Sequence, residues 1–328
     1  LKEFLITEKE SAQRLDKYLQ KCLRKAPKSF LYKMLRKKNI TLNGKKAQGN
    51  ELLSSGDRVT FFLSDETFSG FQEDTPAPAS SPGRKEPLPR LQVIYEDAQV
   101  LLINKPAGIA SQPDRRGEPS MVEAVTSYLL SSGALSEQDL AFFRPSVVNR
   151  LDINTSGILM AGKTLSGLQD LSLLIREHAL KKVYLAICHG VLREELLLTG
   201  YLVKDEKKNR SYVLKEPAPH SYYIETRVCP IKDNGSQTLV EVHLVTGRPH
   251  QIRAHLASIA HPLLGDAKYN HIPESMELSA SLGLKTQLLH ASSLTFPKDC
   301  ARLTSIAGRT FTAPVPDRFR SIANKLGL

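Results

Sequence analysis

The run Asn149-Arg150-Leu151-Asp152-Ile153-Asn154-Thr155-Ser156-Gly157 sets an arginine and an aspartate two residues apart in a turn-prone segment. The apolar run Ile158-Leu159-Met160-Ala161 follows at once and reads as a buried strand. A carboxylate at the mouth of a sheet, beside permanent cations, stays ionised and can act as a nucleophile. A second polar run, Gly247-Arg248-Pro249-His250-Gln251-Ile252-Arg253, also follows a strand. Pro249 suits the first turn of a helix, and Ile252, Leu256 and Ile259 would form its buried stripe. His250 and Arg253, three apart, would then share a face. His250 and His255 are five apart, on divergent faces, whereas helical metal pairs prefer spacings of three or four, so no metal is expected. Each residue also has a plainer reading. Asp152 can be a turn or cap aspartate, Arg150 half of a surface ion pair, Lys105 a surface lysine at a turn, and Tyr184 a core aromatic in a strand.

The elements that must hold these residues read as α+β. Val93–Tyr95 and Val100–Ile103 are strands around a Glu96-Asp97 turn, and Lys105-Pro106-Ala107-Gly108 ends the second. Leu165, Leu168, Leu171 and Ile175 mark a helix. Lys182–Cys188, Tyr222–Val228 and Leu239–Val245 are further strands. Helices do not alternate regularly with strands, which favours a mixed, largely antiparallel central sheet over a doubly wound one.

Three regions follow from composition. Residues 64–90 are rich in Pro, Ser and Gly and read as a linker between a small domain, 1–63, and a large one, 91–328. In the small domain Leu15, Leu19 and Cys22 space one helix, and Leu31, Met34 and Leu35 a second, with Ser29 as its candidate cap. Ile40–Leu42 and an Asn43-Gly44 turn signal a hairpin. Residues 1–63 carry 15 Lys+Arg against 6 Asp+Glu, so most of the net +11 is concentrated there. Such a module suits a polyanion. No apolar run reaches membrane-span length, and Leu1-Lys2-Glu3-Phe4 opens no signal-peptide hydrophobic region. Four widely spaced cysteines read as free thiols of a reducing cytoplasm.

The 149–157 run resembles the Arg-Leu-Asp-x-x-Thr-Ser-Gly signature of the RluA-type pseudouridine synthases, which convert uridine to pseudouridine in structured RNA. Lys182-Val183-Tyr184-Leu185-Ala186 resembles the family's Lys-x-Tyr-x-Ala motif, and the 247–253 run its Gly-Arg-x-His-Gln-x-Arg motif. The resemblance implies the pseudouridine synthase fold, no cofactor, and Asp152 as nucleophile. It makes Arg253 the aspartate's partner, Tyr184 a platform for the target base, and Arg150 an occupant of the gap left by a flipped nucleotide. Asn149, Thr155, Ser156, Arg248, His250 and Lys105 are then expected to line the substrate. Asn149 stands where the family usually has histidine, and Pro249 where a small polar residue is common. The His261–Asp266 run and Leu289-His290-Ala291 match architectural elements.

The small domain resembles the S-four-like RNA-binding module through Arg14-Leu15-Asp16, the Lys28–Lys37 helix, Leu42-Asn43-Gly44-Lys45 and Gly56-Asp57. That implies Lys28, Lys33, Arg36, Lys37 and Lys38 as RNA-docking cations, with the linker letting the domain search. The two domains together look most like the large-subunit ribosomal RNA branch, acting as a cytoplasmic monomer. The rivals are a non-catalytic ribosome-assembly factor, a synthase for transfer RNA, and an RNA methyltransferase. The last needs a glycine-rich strand–turn–helix cofactor fingerprint, and none is found.

Overall fold

A computed structural model describes residues 1–72, 88–113, 117–300 and 302–328. Residues 73–87, most of the expected linker, lie outside the described residues.

The small domain runs β1 (Lys2–Leu5), α1 (Leu15–Cys22), α2 (Lys28–Arg36), β2 (Ile40–Leu42), β3 (Lys45–Lys46), β4 (Arg58–Phe61) and α3 (Asp65–Phe71). Its sheet has the order β1-β4-β2-β3. The expected apolar faces of α1 and α2 are buried together with Ile40, Val59 and Phe61. Two expectations need correction. Pro27, not Ser29, caps α2, with extended backbone and no side-chain cap bond. Residues 64–71 belong to the small domain rather than to the linker. Ser64 caps α3 by accepting the Thr67 amide at 3.2 Å, and the Phe68 ring lies edge-on to Phe61 at 5.2 Å. Two phenylalanines three apart bury enough apolar surface to recruit this short polar stretch to the core.

The large domain comprises β5 (Val93–Glu96), β6 (Val100–Lys105), α4 (Met121–Ser131), β7 (Ser146–Val147), β8 (Ser156–Gly162), α5 (Leu165–Arg176), β9 (Lys181–His189), β10 (Leu196–Asp205), β11 (Arg210–Leu214), β12 (Tyr222–Asp233), β13 (Gln237–Leu244), α6 (Gln251–Ser258), α7 (Pro273–Ser281), β14 (Leu289–Thr295), β15 (Thr310–Thr312) and α8 (Asp317–Lys325). One 11-stranded sheet has the path β11-β10-β12-β13-β9-β14-β8-β6-β5, with β15 on β14 and β7 on β8. Only the β14–β8 pairing is parallel among the described strands, so the mixed, largely antiparallel sheet is as expected.

Period-two alternation divides β6 and β8 between two cores. Leu101, Ile103, Leu159 and Ala161 face Met121, Val125 and Leu129 of α4. Val100, Leu102, Ile158 and Met160 face Leu171 and Leu174 of α5. Both faces are covered, which is why 158–161 is a continuous apolar run. At the parallel junction, Gly157 has φ +116°, and a Cβ there would lie 2.2 Å from the Ala291 carbonyl oxygen. Glycine is required for β8 and β14 to meet.

The small domain is seated on the large one. Lys9 Nζ donates to Asp139 Oδ2 at 2.7 Å, and the Tyr18 and Phe142 rings stack with centroids 5.4 Å apart. The expectation of a freely searching module is therefore replaced by a docked one. Among the described residues, no helix is long and apolar enough to cross a membrane.

Candidate active site

Asp152 lies in the turn between β7 and β8, where its carbonyl accepts the Thr155 amide at 3.0 Å. Lys105 ties this turn down from the end of β6. Its ammonium is fully buried and donates to the carbonyls of Pro106, Ile109 and Ile153 at 2.9, 2.7 and 2.8 Å. Burial pushes its pKa down to about 7, and the nearby Asp152 charge opposes that. Lys105, expected to line the substrate, is thus a buried anchor of this turn. Asn149, Thr155 and Ser156, also expected to line the substrate, have internal hydrogen-bond partners as well. The Asn149 amide is spent on β8, donating to Ile158 O at 3.1 Å and accepting from Met160 N at 2.7 Å. Thr155 Oγ1 accepts from Gln287 at 3.3 Å. Ser156 Oγ meets His290 Nδ1 at 2.9 Å, both buried. A strand this deeply buried leaves no solvent for its polar groups, so each is satisfied internally.

The opposite wall is the start of α6. Pro249 is not in the first turn, because His250 is the cap residue and helix α6 begins at Gln251. His250 holds left-handed backbone at φ +58°, a conformation costly for a side chain with a Cβ. Gln251 braces this corner. Its Oε1 accepts from Thr246 Oγ1 and Arg248 N at 2.9 and 3.0 Å. Its Nε2 donates to Glu225 O and Thr226 Oγ1 at 3.0 and 2.9 Å.

The brace delivers Arg253 to the aspartate. Arg253 Nη1 donates to Asp152 Oδ2 at 2.9 Å. Its Nε and Nη2 make a bidentate pair with the buried Asp266, both at 2.7 Å. Burial works against the guanidinium's charge, but the two carboxylates outweigh it and hold its pKa above the ordinary range. His250 Nε2 lies 3.9 Å from the same Asp152 oxygen. Tyr184, on β9, is buried opposite Val242 and Ala291. Burial and the Asp152 charge both raise its pKa, so its phenol stays protonated at neutral pH.

Asp152, Arg253, His250 and Tyr184 therefore converge on one cleft. Arg150 and Arg248 are exposed, and the Arg248 guanidinium lies 4.3 Å over the Tyr222 ring. His255 points away into the core, where Nδ1 meets Thr226 Oγ1 at 2.8 Å. Among the described residues, no cluster of three or more His, Cys, Asp and Glu is placed to hold a metal ion. The five candidate docking cations, Lys28, Lys33, Arg36, Lys37 and Lys38, are all exposed on or just after α2. Sequence reasoning missed Asp266 and Tyr269 as partners of this site. Asp266 carries a signal in the His261–Asp266 run, whose match points only to an architectural role. Tyr269, a lone aromatic in a loop, had none.

The sequence profile of a family described as RNA pseudouridylate synthase matches residues 99–258. An uncharacterized RNA pseudouridine synthase of Mycoplasma genitalium is 30% identical, with 90% of this chain and 89% of that one covered. A protein of Pasteurella multocida named ribosomal large subunit pseudouridine synthase C is 31% identical, over 90% of this chain and 86% of that one. Among solved structures, human RNA pseudouridylate synthase domain containing 4 superposes with a TM-score of 0.58 at 19% identity. It covers 72% of this chain and 93% of that one, a likeness of fold. The aspartate–arginine cleft on a largely antiparallel sheet and the near full-length relatives agree: the chain belongs to the RNA pseudouridylate synthase family.

Proposed function

We propose that this enzyme isomerises uridine to pseudouridine in large-subunit ribosomal RNA, with Asp152 as the nucleophile. The observation that carries the reading is the division of labour on the Asp152 carboxylate. Oδ2 is held by Arg253 at 2.9 Å, whereas Oδ1 has no hydrogen bond to the described residues. The side chain is 24% exposed, so an extruded nucleotide can reach it. Asp152 adds to carbon 6 of the base or to the anomeric carbon of the ribose. By either route the bond from ribose to N1 breaks and the base turns. A bond from ribose to C5 forms, the C5 proton leaves and N1 gains one. Composition and oxidation level are unchanged, so the reaction consumes no cosubstrate.

Arg253 stabilises the carboxylate in a partly dry cleft. The protonated Tyr184 offers its ring to the base, a stack worth roughly 1–3 kcal/mol. Extruding a base costs a few kcal/mol, and the exposed Arg150 offsets part of it by filling the vacated stack. Arg248 contacts the flanking backbone. The docked basic domain holds RNA through phosphates without reading bases. The ribosomal target rests on relatives named for it. A cytoplasmic monomer fits the four unpaired cysteines and a basic surface whose complement is RNA.

The test is site-mapped pseudouridine formation on unmodified large-subunit ribosomal RNA by the wild type and Asp152→Ala. Product from the wild type alone is expected. Product from both overturns the nucleophile assignment. Product from neither redirects the search to transfer RNA, and failure there leaves the assembly-factor reading.

A further inference from the structure

Tyr269 sits beneath both groups that face Asp152. Its buried ring is 5.0 Å from the Arg253 guanidinium and 5.1 Å from that of Arg210. Its hydroxyl accepts the Ser211 amide of β11 at 2.7 Å and lies 2.9 Å from His250 Nδ1. The amide can only donate, and the phenol has a single proton. With that proton directed at Nδ1, each of the three groups is used once. The neutral imidazole then carries its own proton on Nε2. The other tautomer would aim two donors at the phenol oxygen and take that acceptor from the phenol proton. Ser211 Oγ is itself engaged, donating to Pro249 O at 3.1 Å. Burial keeps the imidazole below its ordinary pKa against the pull of Asp152, and Arg253 and Lys268 act in the same direction as burial.

We propose that the Ser211–Tyr269–His250 chain fixes His250 as the Nε2–H tautomer aimed at Asp152 Oδ2, leaving Oδ1 as the attacking oxygen. Tyr269 and His250 are then positioning residues rather than substrate contacts. Nε2 stands 3.9 Å from Oδ2, close enough for its proton to favour the charge on that oxygen without a direct hydrogen bond. The left-handed backbone of His250 has a use in this arrangement, because it turns the ring back toward both Tyr269 and the aspartate. The inference rests on Asp152 being the nucleophile.

The experiment is a long-range nitrogen–proton correlation spectrum of the full chain labelled in its histidine rings, with His250 assigned by its loss in His250→Gln. The expected wild-type result is a proton on Nε2 and a bare Nδ1. A proton on Nδ1, or a doubly protonated ring at neutral pH, overturns the proposal whatever the activity. Tyr269→Phe keeps the ring under Arg253 and removes only the hydroxyl. It is expected to mix the tautomers and lower kcat about tenfold, the effect of one lost hydrogen bond, with KM for RNA within about twofold. An unchanged tautomer and kcat in that variant also overturns the proposal. If Tyr269→Phe does not fold, the wild-type spectrum decides alone. Failure of the nucleophile assignment would appear separately, as product from Asp152→Ala with the tautomer intact.

Discussion

His255 should make this fold acid-sensitive by a calculable amount. The ring is 1% exposed, Nδ1 meets Thr226 Oγ1, and Nε2 is buried without a hydrogen-bond partner. Burial drives the pKa of His255 down to about 4, against about 6.5 in the unfolded chain. Between those values the unfolded chain binds the extra proton, so stability rises with pH. The contribution is present above about pH 6.5 and is lost as pH falls toward about 4. From pH 7 to pH 5 the loss is about 2 kcal/mol. Urea unfolding of wild type and His255→Gln at both pH values measures it. The constant packing penalty of glutamine cancels within each protein, and the losses from the other buried histidines, His250 and His290, which burial also shifts downward, cancel between the two proteins. Wild type should lose about 2 kcal/mol more than the variant over that interval. Equal losses would refute the reasoning. Because His255 ties α6 to β12 through Thr226, the acid loss should also loosen Arg253 and reduce turnover in parallel.

Three further outcomes follow from the geometry. Asp266→Asn removes the buried charge that holds Arg253 by two bonds, and should cost about 3 kcal/mol in denaturant unfolding. It should lower kcat while RNA affinity stays within about twofold, because Asp266 is fully buried behind the arginine. Gly157→Ala forces a Cβ against the Ala291 carbonyl at positive φ and should destabilise by about 3 kcal/mol or more, read as a fall in Tm. Replacing Lys33, Arg36 and Lys37 by alanine should flatten the slope of log affinity against log salt by about 2 to 3. An unchanged slope in filter binding would remove α2 from the RNA contact.

Much of the fold was legible because it follows from short-range rules. The apolar run 158–161 demanded a strand buried on both faces, and the spacing of Leu165 to Ile175 demanded a helix. The misreadings came where local and distant forces compete. Ser64–Thr67 reads as polar linker, but Phe68 and Phe71 draw it onto the small domain's core. Pro249 suits a first helical turn by itself, yet the Gln251 brace turns the chain at His250 and leaves the proline outside.

The tripeptide Arg-Leu-Asp occurs twice in this chain, and the two copies separate what each level decides. At 14–16 the arginine bonds its own aspartate, at 3.1 and 3.0 Å, at the start of α1. At 150–152 the aspartate is taken by Arg253, 101 residues away, and Arg150 stays exposed. The residue types, their turn-and-strand setting and the basic character of the first domain are legible along the chain. Those rest on composition and on neighbours a few positions apart. Long-range packing sets which cation holds Asp152, that Lys105 and Asn149 serve the backbone, and that Tyr269 stands under the site. Those depend on contacts between residues far apart in the chain, which no local spacing encodes.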